Sequence, residues 1–253
     1  MFGQGVEPFV DHWDAKKTIK RSEGLMVNGR EWGEWKFYDP QGKLMEQAEF
    51  KSGERDGRVR IYYDGSQLQH DGWMKRGVQD SMITSYYQNG QVMERGAYKA
   101  SVKEGQWAYF YADGRPMLTE RWDKGIAIAI DAWDRDSTHT LIKGNGTVRS
   151  YYPSGALAEV GNYVMGVRDG EQLEYWPAGN VKAKGTSKGG VRHGAWHSFH
   201  SNGKPEKDAT YSAGKLSGPF ATFRADGSPD VAGHYLDDKK DSLWTWHRAD
   251  GTV

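Results

Sequence analysis

Three histidines, His193, His197 and His200, stand close together, and Asp131, Asp134 and Asp136 form a short run of carboxylates. Imidazoles and carboxylates are the usual protein ligands of zinc and calcium, so both groups are tested first for metal chemistry. On one extended strand His193 and His197 share a face and His200 takes the other. Gly194, read as a turn residue, disrupts that alignment further. A calcium loop begun at Asp134 needs Gly at its sixth place and Glu at its twelfth; His139 and Asn145 stand there. No metal site is expected. There are no cysteines, hence no disulfide frame, thiolate zinc site or thiol nucleophile. Neither a serine nucleophile elbow nor a phosphate-binding glycine loop is expected. The chain reads as non-catalytic and free of cofactors.

Charge narrows the partners. The 253 residues carry 34 basic and 34 acidic side chains, so the net positive charge that generic nucleic-acid binding needs is missing. No nucleic-acid partner is expected, and docking on anionic membranes is disfavoured. No stretch approaches the roughly 20 apolar residues that span a bilayer as a helix. Residues Met1 to Asp14 lack a basic start followed by an apolar core, the mark of a signal peptide. A cytoplasmic location is the expectation, an exported or lipoprotein form being the alternative if a leader has been removed.

The elements that position these side chains follow from composition. Glycine is abundant at 33 residues and aromatics make up 13%, while hydrophobic residues reach only 37%. That balance fits many short strands joined by tight turns rather than a disordered chain, which would be poor in aromatics. Between Gly194 and Gly218 the chain reads Gly-x-Trp-x-x-Phe-x-x-x-Gly, a second run ending in an aromatic, and a glycine-rich return. The skeleton recurs. Full units are read from near residues 33, 57, 80, 105, 146, 170, 194 and 218, with a truncated unit from 241 and a partial one over 13–32. A degenerate unit from 125 fills the 41-residue gap between Gly105 and Gly146. The whole reads as a single repeat domain over 1–253.

Each unit reads as a β-hairpin. An apolar residue is assigned two places after the unit start: Trp35, Val59, Met82, Trp107, Val148, Trp196, Phe220 and Leu243. Aromatics follow near the far end, among them Tyr62-Tyr63, Tyr86-Tyr87, Tyr151-Tyr152 and Tyr175-Trp176. Aromatic and β-branched enrichment between glycine-centred turns is a strand signal. Asn-Gly pairs at 28, 89, 145 and 202, and Asp-Gly pairs at 56, 64, 71, 113, 169, 226 and 250, are read as the hairpin turns, because they supply positive φ. No 3.6-residue period is sustained, so essentially no helix is expected. The predicted fold is all-β: an elongated, twisted, single-layer antiparallel β-meander of tandem hairpins, with about 19 or 20 strands spanning about 90 Å. In a flat strand the residue two places after the glycine and the first aromatic, five places after it, point to opposite faces. Either both faces carry aromatics or a bulge realigns them; a curled sheet with one packed aromatic face is favoured.

Residues 125–144 depart from the pattern. Ile126, Ile128 and Ile130 alternate as one face of a strand, and Asp134 to Ser137 reads as its turn.

The motif Tyr-Tyr-x-x-Gly-x-Leu followed by Gly-x-Tyr-x-x-Gly-x-x-x-Gly is nearly complete over Tyr151–Leu157 and Gly161–Gly170, and Tyr86–Val92 with Gly96–Tyr98 carries it in part. It resembles the bacterial variant of the MORN repeat, over about residues 18 to 253. The resemblance implies an elongated β-meander acting as scaffold, dimerisation surface or phospholipid binder. For the YwqK-type, antitoxin-like branch it implies a protein that binds a toxin partner. The chain departs from the pattern at Gln172, in place of an apolar residue, and at His200 and Arg224, in place of second aromatics. The leading expectation is a non-catalytic interaction module binding another protein, with a cognate toxin as the specific version. The partner-binding aromatics are expected among Trp107, Tyr151, Trp176 and Trp196. A surface for membrane lipid or glycan, and a scaffold that self-associates through terminal edge strands, are the alternatives.

Overall fold

The computed structural model, described for residues 5–64 and 66–248, is all-β, with twenty-one strands from Val6–His12 to Lys239–Trp246. No helix occurs among the described residues. The strand count exceeds the sequence expectation chiefly at the start, where Val6–His12 pairs with Lys20–Val27 ahead of the first unit. The Asp-Gly pair at 250 and Gly65 lie outside the described residues.

The chain divides into two compact units, Met1–Ala127 and Ile128–Val253. Within the first, each strand up to Pro116–Asp123 pairs antiparallel with its sequence neighbours. The second repeats the arrangement from the hairpin Ile126–Trp133 and His139–Ile142, the former strand straddling the division, to Lys239–Trp246. In each unit the result is a single-layer open sheet of hairpins.

The repeat is set by a backbone feature inside the first strand of each hairpin. Gly33, Gly57, Gly105, Gly146, Gly170, Gly194 and Gly218 all take positive φ there, and Ser81 and Ser242 do the same at φ 62° and 63°. Next to most of them the strand register slips, as between Glu23 and Leu25 opposite Gly33, so these residues are β-bulges. With the two serines included, bulges recur every 24 residues through 33, 57, 81 and 105, and again through 146, 170, 194, 218 and 242. This corrects the assignments at Asp80 and Asp241 by one residue. The side chain two places after the bulge is Ile83, not Met82, and Trp244, not Leu243. Ile83 is 3% exposed, whereas Met82 and Leu243 are 61% and 85% exposed. A one-residue slip moves a strand side chain to the other face.

The turns sort into two kinds, one for each edge of the sheet. Tight turns have two successive positive-φ residues: Asn28-Gly29, Arg76-Gly77, Ala100-Ser101, Ala213-Gly214 and Asp237-Asp238 are examples. This is the type I′ geometry matched to strand twist. Longer loops at the other ends carry one positive-φ glycine, such as Gly90 and Gly203. Asp56-Gly57, Asn145-Gly146 and Asp169-Gly170, read from sequence as turns, are bulges within strands instead. The tight turns are also tied to one another. The amides of Gly53, Gly77 and Ser101 donate to the carbonyls of Glu31, Arg55 and Gln79, and Gly190 and Gly214 repeat this with Arg168 and Arg192.

Candidate interaction surface

Three side-chain positions, counted from the bulge, carry the repeat. Two residues after it, Trp35, Trp107, Trp196 and Trp244 lie over Gly24, Gly96, Gly185 and Gly233 of the preceding strand. A Cβ on any of those glycines would come within 2.2–2.4 Å of the nearest indole atom, well inside contact distance. The indole N–H of Trp35, Trp107 and Trp196 donates to the carbonyl ten residues earlier, Leu25, Ala97 and Thr186, at 3.1, 3.1 and 2.8 Å. Gln172 occupies the same position over Gly161 and is 1% exposed. Its amide donates to the Asn162 carbonyl at 3.1 Å, again ten residues earlier. The carboxamide thus reproduces the donor of an indole.

Six residues after the bulge, a long donor reaches the backbone of the next repeat. The hydroxyls of Tyr63, Tyr87 and Tyr152 donate to the carbonyls of Tyr86, Phe110 and Tyr175 at 2.7, 2.8 and 2.6 Å. Trp176 Nε1 bonds the Phe199 carbonyl at 3.0 Å, His200 Nε2 the Phe223 carbonyl at 2.9 Å, and Arg224 the His247 carbonyl. Each acceptor lies 23 residues on. His200 and Arg224, which depart from the aromatic pattern, keep the property the site needs: a donor of sufficient reach.

Two residues before the bulge, a cation covers the buried rings. Lys103 Nζ lies 3.8 Å from the Trp107 ring centroid, Arg192 Cζ 4.1 Å from that of Trp196, and Lys240 Nζ 4.3 Å from that of Trp244. Arg55 lies 5.3 Å from the Phe50 ring and pairs with Glu46 at 2.7 Å. Such contacts gain strength as they lose water.

The side chain five places after the bulge turns to the opposite face. Tyr38 and Tyr62 hydroxyls bond Glu23 and Gln47 there, both at 2.5 Å. The expectation of one packed aromatic face is therefore corrected: both faces carry rings. Burial and the Glu23 carboxylate push the Tyr38 hydroxyl up to about 12.

The framework thus consumes most of the aromatics expected to meet a partner. Trp107 and Trp196 are 1% and 5% exposed. Trp176 is half-buried and hydrogen-bonded in the ladder. Tyr151 donates to Asp134, with Arg135 4.2 Å from its ring. The tryptophans left exposed are others: Trp32 and Trp73 in the first unit, at 41% and 47%, together with Trp13 and Trp246. Their signal in the sequence was negative: none occupies the position two or six residues after a bulge.

The other candidates for chemistry separate. His197 bonds Asp208 at 2.7 Å while His200 serves the donor ladder. Asp134 holds Arg149 and Tyr151, and Asp131 faces His139 at 3.1 Å. Among the described residues no three His, Cys, Asp or Glu side chains converge on a metal position. Contrary to the sequence expectation, one Gly-x-Ser-x-Gly spacing does exist, Gly185-Thr186-Ser187-Lys188-Gly189. Its buried Ser187 lies on the strand Val181–Lys188, which enters a hairpin; a nucleophile elbow needs a strand-to-helix turn.

One place in the framework is not filled. Around Gly72, in the first unit, the positions two residues after the bulge hold Val59 and Ile83, and the cation position holds Gln79. A cavity of about 410 Å³ opens there, lined by Val59, Gly72, Trp73, Met74 and Gln79 among others. Its polar wall is a chain: His70 Nδ1 lies 3.3 Å from Ser85 Oγ, which donates to Glu94 at 3.3 Å, and His70 Nε2 lies 3.4 Å from Gln79. Burial pushes the His70 imidazole below its usual range, against the opposing pull of Glu94 and Asp71.

A 24-residue hairpin stacked by antiparallel pairing defines the class: a tandem β-repeat protein with the properties of a binding module. Five segments, residues 33–52, 83–100, 145–165, 168–188 and 192–213, match the family model of the MORN repeat variant, so the chain carries MORN-variant repeats. No curated protein matches the sequence. Among solved structures, TcdB2-TccC3 without its hypervariable C-terminal region aligns over 85% of this chain and 15% of its own, at 9% identity and a TM-score of 0.19. The Photorhabdus luminescens Tc holotoxin pore aligns over 84% of this chain and 18% of its own, at 9% identity and a TM-score of 0.20. The chain spans less than a fifth of those structures, and likenesses this low carry no argument about it.

Proposed function

We propose that the chain is a non-catalytic interaction module that binds another protein, and that Trp32 and Trp73 belong to the contact. The observation behind this is the division of labour among the aromatics. Framework rings are buried or hydrogen-bonded within the sheet, while Trp32 and Trp73 stand outside the framework and exposed. Tryptophan is enriched where protein interfaces concentrate their binding energy. Net neutrality, with 34 charges of each sign, fits a protein partner better than a polyanion. The antitoxin-like resemblance of the repeat supports a specific version in which the partner is a toxin and binding neutralises it.

The test is affinity capture from the native host with the wild-type chain and the double variant Trp32→Ser, Trp73→Ser. One stoichiometric protein is expected with wild type and is lost from a variant whose melting is unchanged. Capture of no stoichiometric protein, or equal capture by both chains, overturns the proposal. For the toxin version, co-expression must rescue growth from the captured partner; toxicity that persists rejects it.

A further inference from the structure

In most repeats with a glycine nine residues before the bulge, an indole lies on that glycine. Gly24, Gly96, Gly185 and Gly233 carry Trp35, Trp107, Trp196 and Trp244, and Gly161 carries the deeply buried Gln172. Where the preceding strand has alanine instead, the partner is a side chain without an N–H: Ala48 pairs with Val59, and Ala209 with Phe220. Gly72 has the glycine without the indole. His70 Nε2 and Ile83 Cγ2 stand over it instead, 2.9 and 3.4 Å from where a Cβ would project. The neighbouring repeat adds Val59, directly opposite Gly72, with Ile61 and Tyr63 further along the chain. The cation that covers the rings of Trp107, Trp196 and Trp244 is replaced by the neutral Gln79, as it is by Glu31 ahead of Trp35, so that roof is missing here.

The acceptor follows the same logic. In three of the four indole sites, those of Trp35, Trp107 and Trp196, the N–H donates to the carbonyl ten residues earlier, while the Trp244 nitrogen is buried without a partner. Ten residues before Ile83 is Trp73, and an isoleucine offers its carbonyl no donor. The cavity of about 410 Å³ lies within the range of about 300–1,000 Å³ typical of small-ligand sites.

From this geometry we propose that the hollow beside Gly72 is a binding site for an indole-type group: a planar, apolar ring system with one N–H donor, seated against Gly72 between Val59 and Ile83 as the His70 ring swings aside, its N–H directed to the Trp73 carbonyl. Met74 and Trp73 provide the apolar walls, while His70, Gln79 and Ser85 form the polar rim. The site supplies from outside the group that the other repeats carry themselves. The site shares Trp73 with the protein-partner reading, but its test uses the isolated chain and small probes, so the two can fail separately.

The experiment is a titration of the isotope-labelled full chain, followed by nuclear magnetic resonance, with free indole, N-methylindole and N-acetyltryptophanamide as probes. Indole is expected to shift the resonances of His70, Gly72 and Ile83 in a saturable way. N-methylindole, which has lost the donor, is expected to bind about tenfold more weakly, the loss of one hydrogen bond. Ile83→Trp, which fills the hollow with the chain's own indole, should abolish binding. Gly72→Ala, whose Cβ would meet His70 Nε2 at 2.9 Å, should weaken it and serves as the second variant should Ile83→Trp fail to fold. Tighter binding of N-acetyltryptophanamide than of indole assigns the group to a peptide chain; the reverse assigns it to a small molecule. No saturable shift at these residues, equal binding of N-methylindole, or undiminished binding by a folded variant overturns the proposal.

Discussion

At residue 172 a carboxamide stands where an indole stands in four sister repeats. Its amide keeps the bond to the Asn162 carbonyl, but its Oε1 is buried with no partner. An unsatisfied buried acceptor costs about 1–3 kcal/mol. Gln172→Trp removes that oxygen and retains the donor, so it is expected to raise stability by about 1 kcal/mol in urea denaturation; a lowered midpoint would contradict the equivalence of the two groups. Gly185 is the complementary case. It has no positive φ, so alanine there meets no backbone penalty, only the Trp196 ring. Gly185→Ala is expected to cost about 1–3 kcal/mol by overpacking. Gly72→Ala should cost less, because the nearest obstacle is the end of the His70 side chain, which can swing aside. Residue types in the sequence disclose the glycine and the tryptophan separately. Their coupling emerges only from register, which places Gly185 against Trp196 across the strand pair.

At the scale of the strand and turn, positive φ is the shared requirement that misled the reading of glycines. A bulge and a type I′ turn both need left-handed backbone, so Asp56-Gly57 in mid-strand looks like a turn. Conversely, the true turns at Ala100-Ser101 and Asp237-Asp238 have no glycine to announce them. Strand identity and the repeat period were legible because aromatic spacing survives such substitutions; the phase at Ser81 and Ser242 was not. The donor ladder makes its own prediction. Tyr87→Phe deletes only the hydroxyl bonded to the Phe110 carbonyl and should cost about 0.5–1.5 kcal/mol. His200→Leu should cost a similar amount and His200→Tyr should not, as measured by denaturation of the three variants. The loops respond to acid. Asp14 accepts from the Ile19 amide and from Thr18, and its carboxyl is held at about 2. Asp113, beside Arg115, and Asp226, beside Ser228, are also held below the usual carboxylate range. A depressed folded-state value stabilises above the unfolded value and is lost as pH falls through the folded one. For Asp14 that window runs from 3.8 down to about 2. Protection of the Thr18 and Ile19 amides, taken relative to the intrinsic exchange rate at each pH, should fall across it, while that of the Gly77 amide, bonded to a carbonyl in its tight turn, should not respond to this titration.

Over the whole molecule, stability is assembled from neighbours. Within each unit most strands contact the strands before and after them, and chains of this kind behave as nearest-neighbour arrays rather than one cooperative block. Gly185→Ala should therefore lower hydrogen-exchange protection in Leu157–Val164 through Lys215–Phe223 and leave Lys20–Val27 through Glu54–Tyr62 at wild-type values. Uniform loss over both units would contradict this. The same locality explains why a site was hard to see in the sequence. The hollow over Gly72 is an omission from a pattern, and an omission becomes visible only when the phase of the pattern is known at Ser81. Trp107 and Trp196 drew attention because large aromatics often mark interfaces; here they build the sheet.

The donors six places after six of the bulges find their acceptors 23 residues on, and this gives the chain a counting rule. Removing residues 170–193 would carry the Tyr152 hydroxyl from the Tyr175 carbonyl to that of Phe199, an equivalent acceptor. Removing a single residue within a strand would instead turn the rest of that strand's side chains to the wrong sheet surface. Length is therefore quantised. The distance between any two groups mounted on one unit of this sheet changes in steps of a whole hairpin, so reach is adjusted by copying and deletion rather than by redesign.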